Sequence, residues 1–150
     1  MYRVENVILT NMCMIYDGSR VLVQEKIDDD YNGITFPGGH VEKAESFTDA
    51  VIREVFEETG LTISSPQLCG IKDWTNDDGT RYVVLFYKTN KFQGEIKSSD
   101  EGKVYWINLD KIDKKSFAIG MEKMIEVFTN DSISEYFFRK DSDGWIEELK

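Results

Sequence analysis

The chain predicts an α/β architecture of the α+β kind, a mixed β-sheet sandwiched between helices, and three observations carry that expectation. Runs rich in β-branched and aromatic residues stand before and after one amphipathic stretch near residues 46–60. A second amphipathic stretch comes late, near residues 121–128. No repeat, low-complexity run or linker breaks the sequence, so one domain over 1–150 is expected.

Val4 to Tyr16 is β-branched and apolar and reads as a long strand ending at the turn Asp17-Gly18. Arg20 to Ile27 alternates and reads as its hairpin partner. Asp28-Asp29-Asp30 with Tyr31-Asn32-Gly33 is a polar loop whose aspartates read as solvated rather than metal-binding. Ile34-Thr35-Phe36 is a short strand feeding Pro37-Gly38-Gly39, where glycines permit approaches that a Cβ would block. Ser46 with Asp49 resembles a capping box and Gly60 marks the helix stop. At about 100° per residue, Val51, Ile52, Val55 and Phe56 form an apolar arc expected to face the core.

Beyond the helix, Leu68 to Trp74, Arg81 to Thr89 and Val104 to Ile107 read as strands, with Asn76-Asp77-Asp78-Gly79 as a turn. Met121, Met124, Ile125 and Phe128 fall at helical spacing and read as core packing. Tyr136-Phe137-Phe138 and Trp145-Ile146 flank Asp141-Ser142-Asp143-Gly144, which suggests a terminal hairpin. It either covers the core or forms a homodimer contact.

A net charge of -10 argues against a duplex DNA or RNA partner, which needs a basic footprint. It does not exclude a nucleotide, since bound cations can bridge polyphosphate to carboxylates. Cys13 and Cys69 lie in or beside apolar runs and read as buried thiols. Neither a charged-then-apolar leader nor an apolar run of membrane length is present, so a cytoplasmic protein without a membrane partner is expected.

The most informative segment is Arg53-Glu54-Val55-Phe56-Glu57-Glu58. On a helix, carboxylates at i, i+3 and i+4 share one side and repel by a few tenths of a kcal/mol per pair, about 0.2–0.5. With no basic run nearby, a hard divalent metal is the natural occupant, because Mg²⁺ takes oxygen ligands.

Gly39, Glu45, Arg53, Glu54, Val55, Glu57, Glu58, Gly60 and Leu61 fit every defined position of G-x5-E-x7-R-E-U-x-E-E-x-G-U, with U aliphatic. The segment thus resembles the Nudix box. Softer stretches, among them Phe36-Pro37-Gly38-Gly39-His40, Gly70-Ile71-Lys72-Asp73-Trp74 and Ser98-Ser99-Asp100-Glu101-Gly102, resemble the MutT/MutX-like 8-oxo-dGTP diphosphatases.

The resemblance implies a Nudix fold and a Mg²⁺-dependent enzyme, with Mn²⁺ as an alternative ion. It would hydrolyse a nucleoside triphosphate to the monophosphate and pyrophosphate. Glu57 and Glu58 would be the main metal ligands, joined by the carbonyl of Gly38 or Gly39. Glu54 would be a further ligand or the general base, and Arg53 would orient a box carboxylate. Glu45 would support the start of the helix. Glu101 would reach a metal or the attacking water, with Asp100 as its rival.

Lys26 and Arg81 are candidate phosphate contacts. Asn11, Trp74, Tyr82, Trp106 and Phe117 are candidates for base recognition, and Asn11 leads. The Trp-Pro-Asp-Asp segment of the mammalian oxidised-purine hydrolases is replaced here by Lys114-Lys115-Ser116-Phe117-Ala118, so if the chain reads an oxidised base it does so with other groups. The alternatives are another Nudix substrate, such as ADP-ribose or a dinucleoside polyphosphate, and a non-catalytic nucleotide sensor. The retained carboxylates weigh against the sensor.

Overall fold

A computed structural model describes residues 2–28 and 30–150. Its elements run β1 (Val7–Asp17), β2 (Arg20–Lys26), β3 (Gly33–Thr35), α1 (Phe47–Thr59), β4 (Thr62–Ile63), β5 (Gln67–Thr75), β6 (Arg81–Thr89), β7 (Phe92–Gln93), β8 (Gly102–Asn108), α2 (Met121–Thr129), β9 (Glu135–Asp141) and β10 (Gly144–Leu149). Asp29 of the expected aspartate loop lies outside the described residues.

The sheet is mixed, in the order β10-β9-β5-β6-β1-β2-β3, with β8 on the other edge of β2. At its centre β1 runs parallel to β6, from Val7 opposite Arg81 to Ile15 opposite Thr89. β5 is antiparallel to β6 and β9 is parallel to β5. This register explains why the first strand starts at Val7 rather than Val4. Arg81 is the first residue of β6, and its N–H bonds the Asn6 carbonyl at 3.0 Å. Val4 precedes that ladder and is exposed.

Alternation along β1 and β6 sends side chains to two cores. Met12, Met14, Val84 and Phe86 pack with Met121, Met124 and Phe128 of α2. Cys13, Ile15, Leu85 and Tyr87 pack with Val51 and Val55 of α1. The sheet is thereby sandwiched between helices, each buried aliphatic or aromatic side chain contributing roughly 1.5–3 kcal/mol. Both cysteines are free thiols, Cys13 buried and Cys69 partly so.

The helix limits follow their signals. Ser46 Oγ accepts from the Asp49 N–H at 3.2 Å, and Gly60 closes the helix at φ 81° with its N–H on the Phe56 carbonyl. One expectation fails: Phe56 is 56% exposed. The buried stripe is Val51, Val55, Glu58 and Thr59, spaced i, i+4, i+7, i+8, and Phe56 falls well round the helix from it. Glu58, expected with Glu54 and Glu57 on one side of the helix, sits on its inner face. The tail forms the β9–β10 hairpin, and Tyr136 is fully buried against α2, so this segment covers the core.

Candidate active site

The glycine loop is stitched to β1 as an additional rung. Asn11 donates its N–H to the Gly39 carbonyl at 2.8 Å, while its Oδ1 accepts the Gly39 N–H at 3.1 Å. The Cys13 N–H bonds the Pro37 carbonyl at 2.8 Å. A Cβ on Gly38 would strike the Asn11 carbonyl, and one on Gly39 would strike the Glu54 carboxylate. Backbone contact, not turn geometry, therefore demands Gly38, while a side chain at Gly39 would have to displace the Glu54 carboxylate. The inner face of α1 meets this loop directly, with Glu58 Oε2 accepting the Gly38 N–H at 3.1 Å.

Arg53 organises the outer carboxylates. Its guanidinium takes both oxygens of Glu45 at 2.8 and 2.9 Å, Glu54 at 3.0 Å, Glu57 at 3.2 Å and the His40 carbonyl at 3.0 Å. A planar fork suits such shared recognition better than an ammonium could. Hydrogen bonds from Arg53, helped by the Glu42 amide, hold the Glu45 carboxyl down to about 2. Burial raises Glu54 against the opposing pull of Arg53.

Glu58 is 3% exposed. Burial pushes its carboxyl up to about 8 and the facing Glu101 adds to this, against Lys26 and the Gly38 amide. Lys26 Nζ lies 3.7 Å from Glu58 and 3.0 Å from Glu101. Burial works against the Lys26 ammonium, but Glu58 and Glu101 outweigh it and leave its pKa raised. Glu101 moves the other way, lowered by its hydrogen bond with Glu58 and then by Lys26.

These groups suit a hard divalent cation in donor chemistry. The facing carboxylates of Glu58 and Glu101 are oxygen donors, and the buried Glu58 resists ionising without a cation beside it. The Lys26 ammonium stands in as that cation here. Among the described residues, no three Asp, Glu, His or Cys side chains already converge as a finished cage.

The same cluster opens into a cavity of about 670 Å³. Lys26, Glu54, Glu58 and Glu101 line it, with Gly38 and Gly39 at the loop and Asp100 beside Glu101. Asn11, Trp74 and Tyr82 line it as well, so most of the expected binding residues meet in one place. Asn11 is 4% exposed, and its Nδ2 has no hydrogen-bond partner among the described residues. Trp74 stacks on Tyr82 at 4.5 Å and on Phe138 at 5.7 Å, so these rings form a wall rather than an open slot.

Other expected residues lie elsewhere. Arg81 is held by Glu5 at 2.7 Å and Asp73 at 3.2 Å and does not line the cavity, because their carboxylates take its guanidinium. Phe117 is bridged to Ile34 and packs against the α2-side core, so its ring serves the core instead of the cavity. Trp106 packs with Phe92 and Arg20. Glu57 is half exposed and outside the lining, with Arg53 as its contact.

Sequence reasoning missed Thr10, Tyr31 and Lys72, all of which line the cavity. Lys72 shares a strand face with Trp74 at i, i+2, a usable signal that a lysine sits among aromatic core positions.

The profile of the NUDIX domain matches residues 9–128. The chain is 35% identical over 89 residues to the uncharacterized Nudix hydrolase YvcI of Bacillus subtilis, covering 56% of each chain. It is 28% identical over 107 residues to an ADP-ribose pyrophosphatase of Methanocaldococcus jannaschii, covering 69% of this chain and 63% of that one. It is 33% identical over 76 residues to the oxidized purine nucleoside triphosphate hydrolase of Danio rerio, covering 50% and 49%. The chain thus spans about half to under two-thirds of the length of these curated relatives.

Among solved structures, a MutT protein of Bacillus halodurans superposes with a TM-score of 0.74 at 29% identity, covering 95% of this chain and 94% of that one. A MutT Nudix hydrolase of Burkholderia pseudomallei gives 0.72 at 22% identity, covering 83% and 100%, a likeness of fold alone. The profile match includes the glycine loop, the carboxylate helix and the central strands that carry them, and on that extent the chain belongs to the Nudix hydrolase family.

Proposed function

We propose that this chain is a nucleoside triphosphate pyrophosphohydrolase, with 8-oxo-dGTP as its leading substrate, releasing the monophosphate and pyrophosphate. One observation carries the reading. A carboxylate cluster built on the buried Glu58, with its own ammonium, opens into the same cavity as an aromatic wall and an amide donor unpartnered among the described residues. Such a cavity offers one region to polyphosphate and another to a base.

Glu58 would hold Mg²⁺ (or Mn²⁺), joined by a carbonyl of Gly38 or Gly39 and by whichever of Glu54 and Glu101 does not serve as the base. Glu57 is included on its motif position alone. When bound, the metal lowers the pKa of its water and neutralises phosphoryl charge. Arg53 fixes the rotamers of Glu45, Glu54 and Glu57. Lys26, released from Glu58, contacts a phosphate oxygen. Glu54, whose proton affinity is raised by burial, accepts the proton of the attacking water, with Glu101 as the second candidate. Asn11 Nδ2 donates to the base. No helix among the described residues is long and apolar enough to cross a membrane.

The test is a comparison of kcat/KM for 8-oxo-dGTP, dGTP, ADP-ribose and diadenosine tetraphosphate with Mg²⁺. Preference for 8-oxo-dGTP with pyrophosphate as product supports the reading. Preference for ADP-ribose would favour the second reading, which the Methanocaldococcus jannaschii relative suggests by its name. Failure to turn over any of the four would overturn both.

A further inference from the structure

Lys72 is the buried charge that the proposed chemistry leaves unused. It is 8% exposed, lines the cavity and makes no hydrogen bond or ion pair among the described residues. Its ammonium lies over the rings of Trp74, Phe138 and Tyr136 at 5.3, 5.3 and 5.8 Å. These ring faces attract a cation but accept no directed hydrogen bond of ordinary strength. Burial lowers the Lys72 pKa to about 8, with Glu147 opposing, so the group is still mostly charged at neutral pH. A buried ammonium without an acceptor costs stability. That pattern fits a site that waits for a ligand oxygen.

The register fixes where the oxygen would come from. Lys72 pairs with Val84 and Val84 with Thr10, one row across β5, β6 and β1. Two strand spacings, about 10 Å, thus separate the Lys72 backbone from the strand that carries the glycine loop and its carboxylates. A nucleotide whose phosphates lie at that loop directs its base toward β5. There it meets Lys72 Nζ, a donor without a hydrogen-bond partner among the described residues. Lysine donates and cannot accept. Guanine presents O6 as an acceptor, whereas adenine presents an amino donor at the same position. An adenine amine would face the ammonium donor to donor and leave it unpaired.

We infer that Lys72 is a specificity-determining residue that selects, among purines, bases carrying a 6-keto oxygen over those carrying a 6-amino group. This rests on the reading of the cavity as a nucleotide site. It is separate from recognition of oxidation, because 8-oxoguanine and guanine share O6. Hypoxanthine, which keeps O6 and lacks the 2-amino group, is accepted on the same grounds.

The experiment measures kcat/KM for dGTP, dITP and dATP with Mg²⁺ in the wild type, Lys72→Met and Lys72→Arg. Alongside, calorimetry without metal follows binding of dGMP, dIMP and dAMP. The wild type should favour dGTP and dITP alike over dATP. Lys72→Met should lose about tenfold to a hundredfold on both keto substrates and less than about threefold on dATP, with Lys72→Arg keeping part of the preference. Calorimetry should show the same ordering. A wild type that does not favour keto purines, or a Lys72→Met variant that keeps the wild-type ratio, overturns the inference. If no triphosphate is turned over but dGMP and dIMP bind through Lys72, the hydrolytic reading falls while base selection stands. If neither turnover nor monophosphate binding occurs, both fall.

Discussion

Replacing Glu58 by glutamine removes a buried ionisable carboxyl while keeping an oxygen that can accept the Gly38 N–H. In the metal-free protein burial has pushed this carboxyl from 4.5 to about 8. At pH 7 the unfolded chain gains by ionising it and the folded chain does not, a difference of about 3 kcal/mol at about 1.4 kcal/mol per tenfold in proton affinity. Losing the Lys26 contact offsets part of that, which leaves an expected gain of about 1–3 kcal/mol for Glu58→Gln. For a domain of this size each kcal/mol moves Tm by about 2–4 °C.

The sign with pH follows from the raised affinity. The metal-free wild type should lose stability as pH rises from about 4.5 through about 8. Glu58→Gln should be flatter across that window. Mg²⁺ should raise the wild-type Tm, and the substitution should abolish most of that increment. Scanning calorimetry of both proteins, with chelator and with Mg²⁺, over pH 4.5 to 8 measures every part of this. A variant less stable than wild type in chelator, with an unchanged pH slope, would refute the account of Glu58 as a carboxyl that burial keeps from ionising.

Arg53→Gln should cut kcat by about a hundredfold or more through misplaced carboxylates. It should also flatten the acid limb: Glu45, held at about 2, stabilises the fold above 4.5, and that contribution is lost as pH falls through about 2. An acid-unfolding profile identical to wild type would exclude the Arg53–Glu45 pair as its source. Gly39→Ala drives a methyl into the Glu54 carboxylate, so kcat should fall about tenfold to a hundredfold with far-UV circular dichroism unchanged. Full activity would show that Glu54 moves aside freely. Glu135, raised to about 7 chiefly by its hydrogen bond with Asp73 and then by burial, should make stability fall as pH rises from 4.5 through about 7. Glu135→Gln, measured in the Glu58→Gln background to isolate this titration, should remove that slope; an unchanged slope would assign it elsewhere.

Legibility in the sequence followed the range of the interactions. The carboxylate helix could be read because Arg53, Glu54, Glu57 and Glu58 relate through one or two turns, and its caps through three or four residues. The late helix and the tail hairpin were legible for the same local reason. Phe56 was misplaced because an apolar arc that includes it competes with one that includes Glu58, and burial of a charged group is decided by the glycine loop 20 residues away. Arg81 was open to a phosphate until Glu5, 76 positions distant, took its guanidinium. Lys72 required the strand order β5-β6-β1, which places it in one row with Val84 and Thr10, and periodicity alone does not supply strand order.

The parallel ladder between β1 and β6 carries a consequence for synthesis. Along one edge Val7–Ile15 pairs with Arg81–Thr89, so the ribosome must deliver the chain as far as Thr89 before the central seam can close. Until then β1, with its run of buried positions, presents an unpaired edge of the kind that other nascent chains can join. Such distant pairing slows folding. A chaperone meeting this polypeptide during translation therefore has its natural target in the first strand, well before the acidic helix has anything to hold.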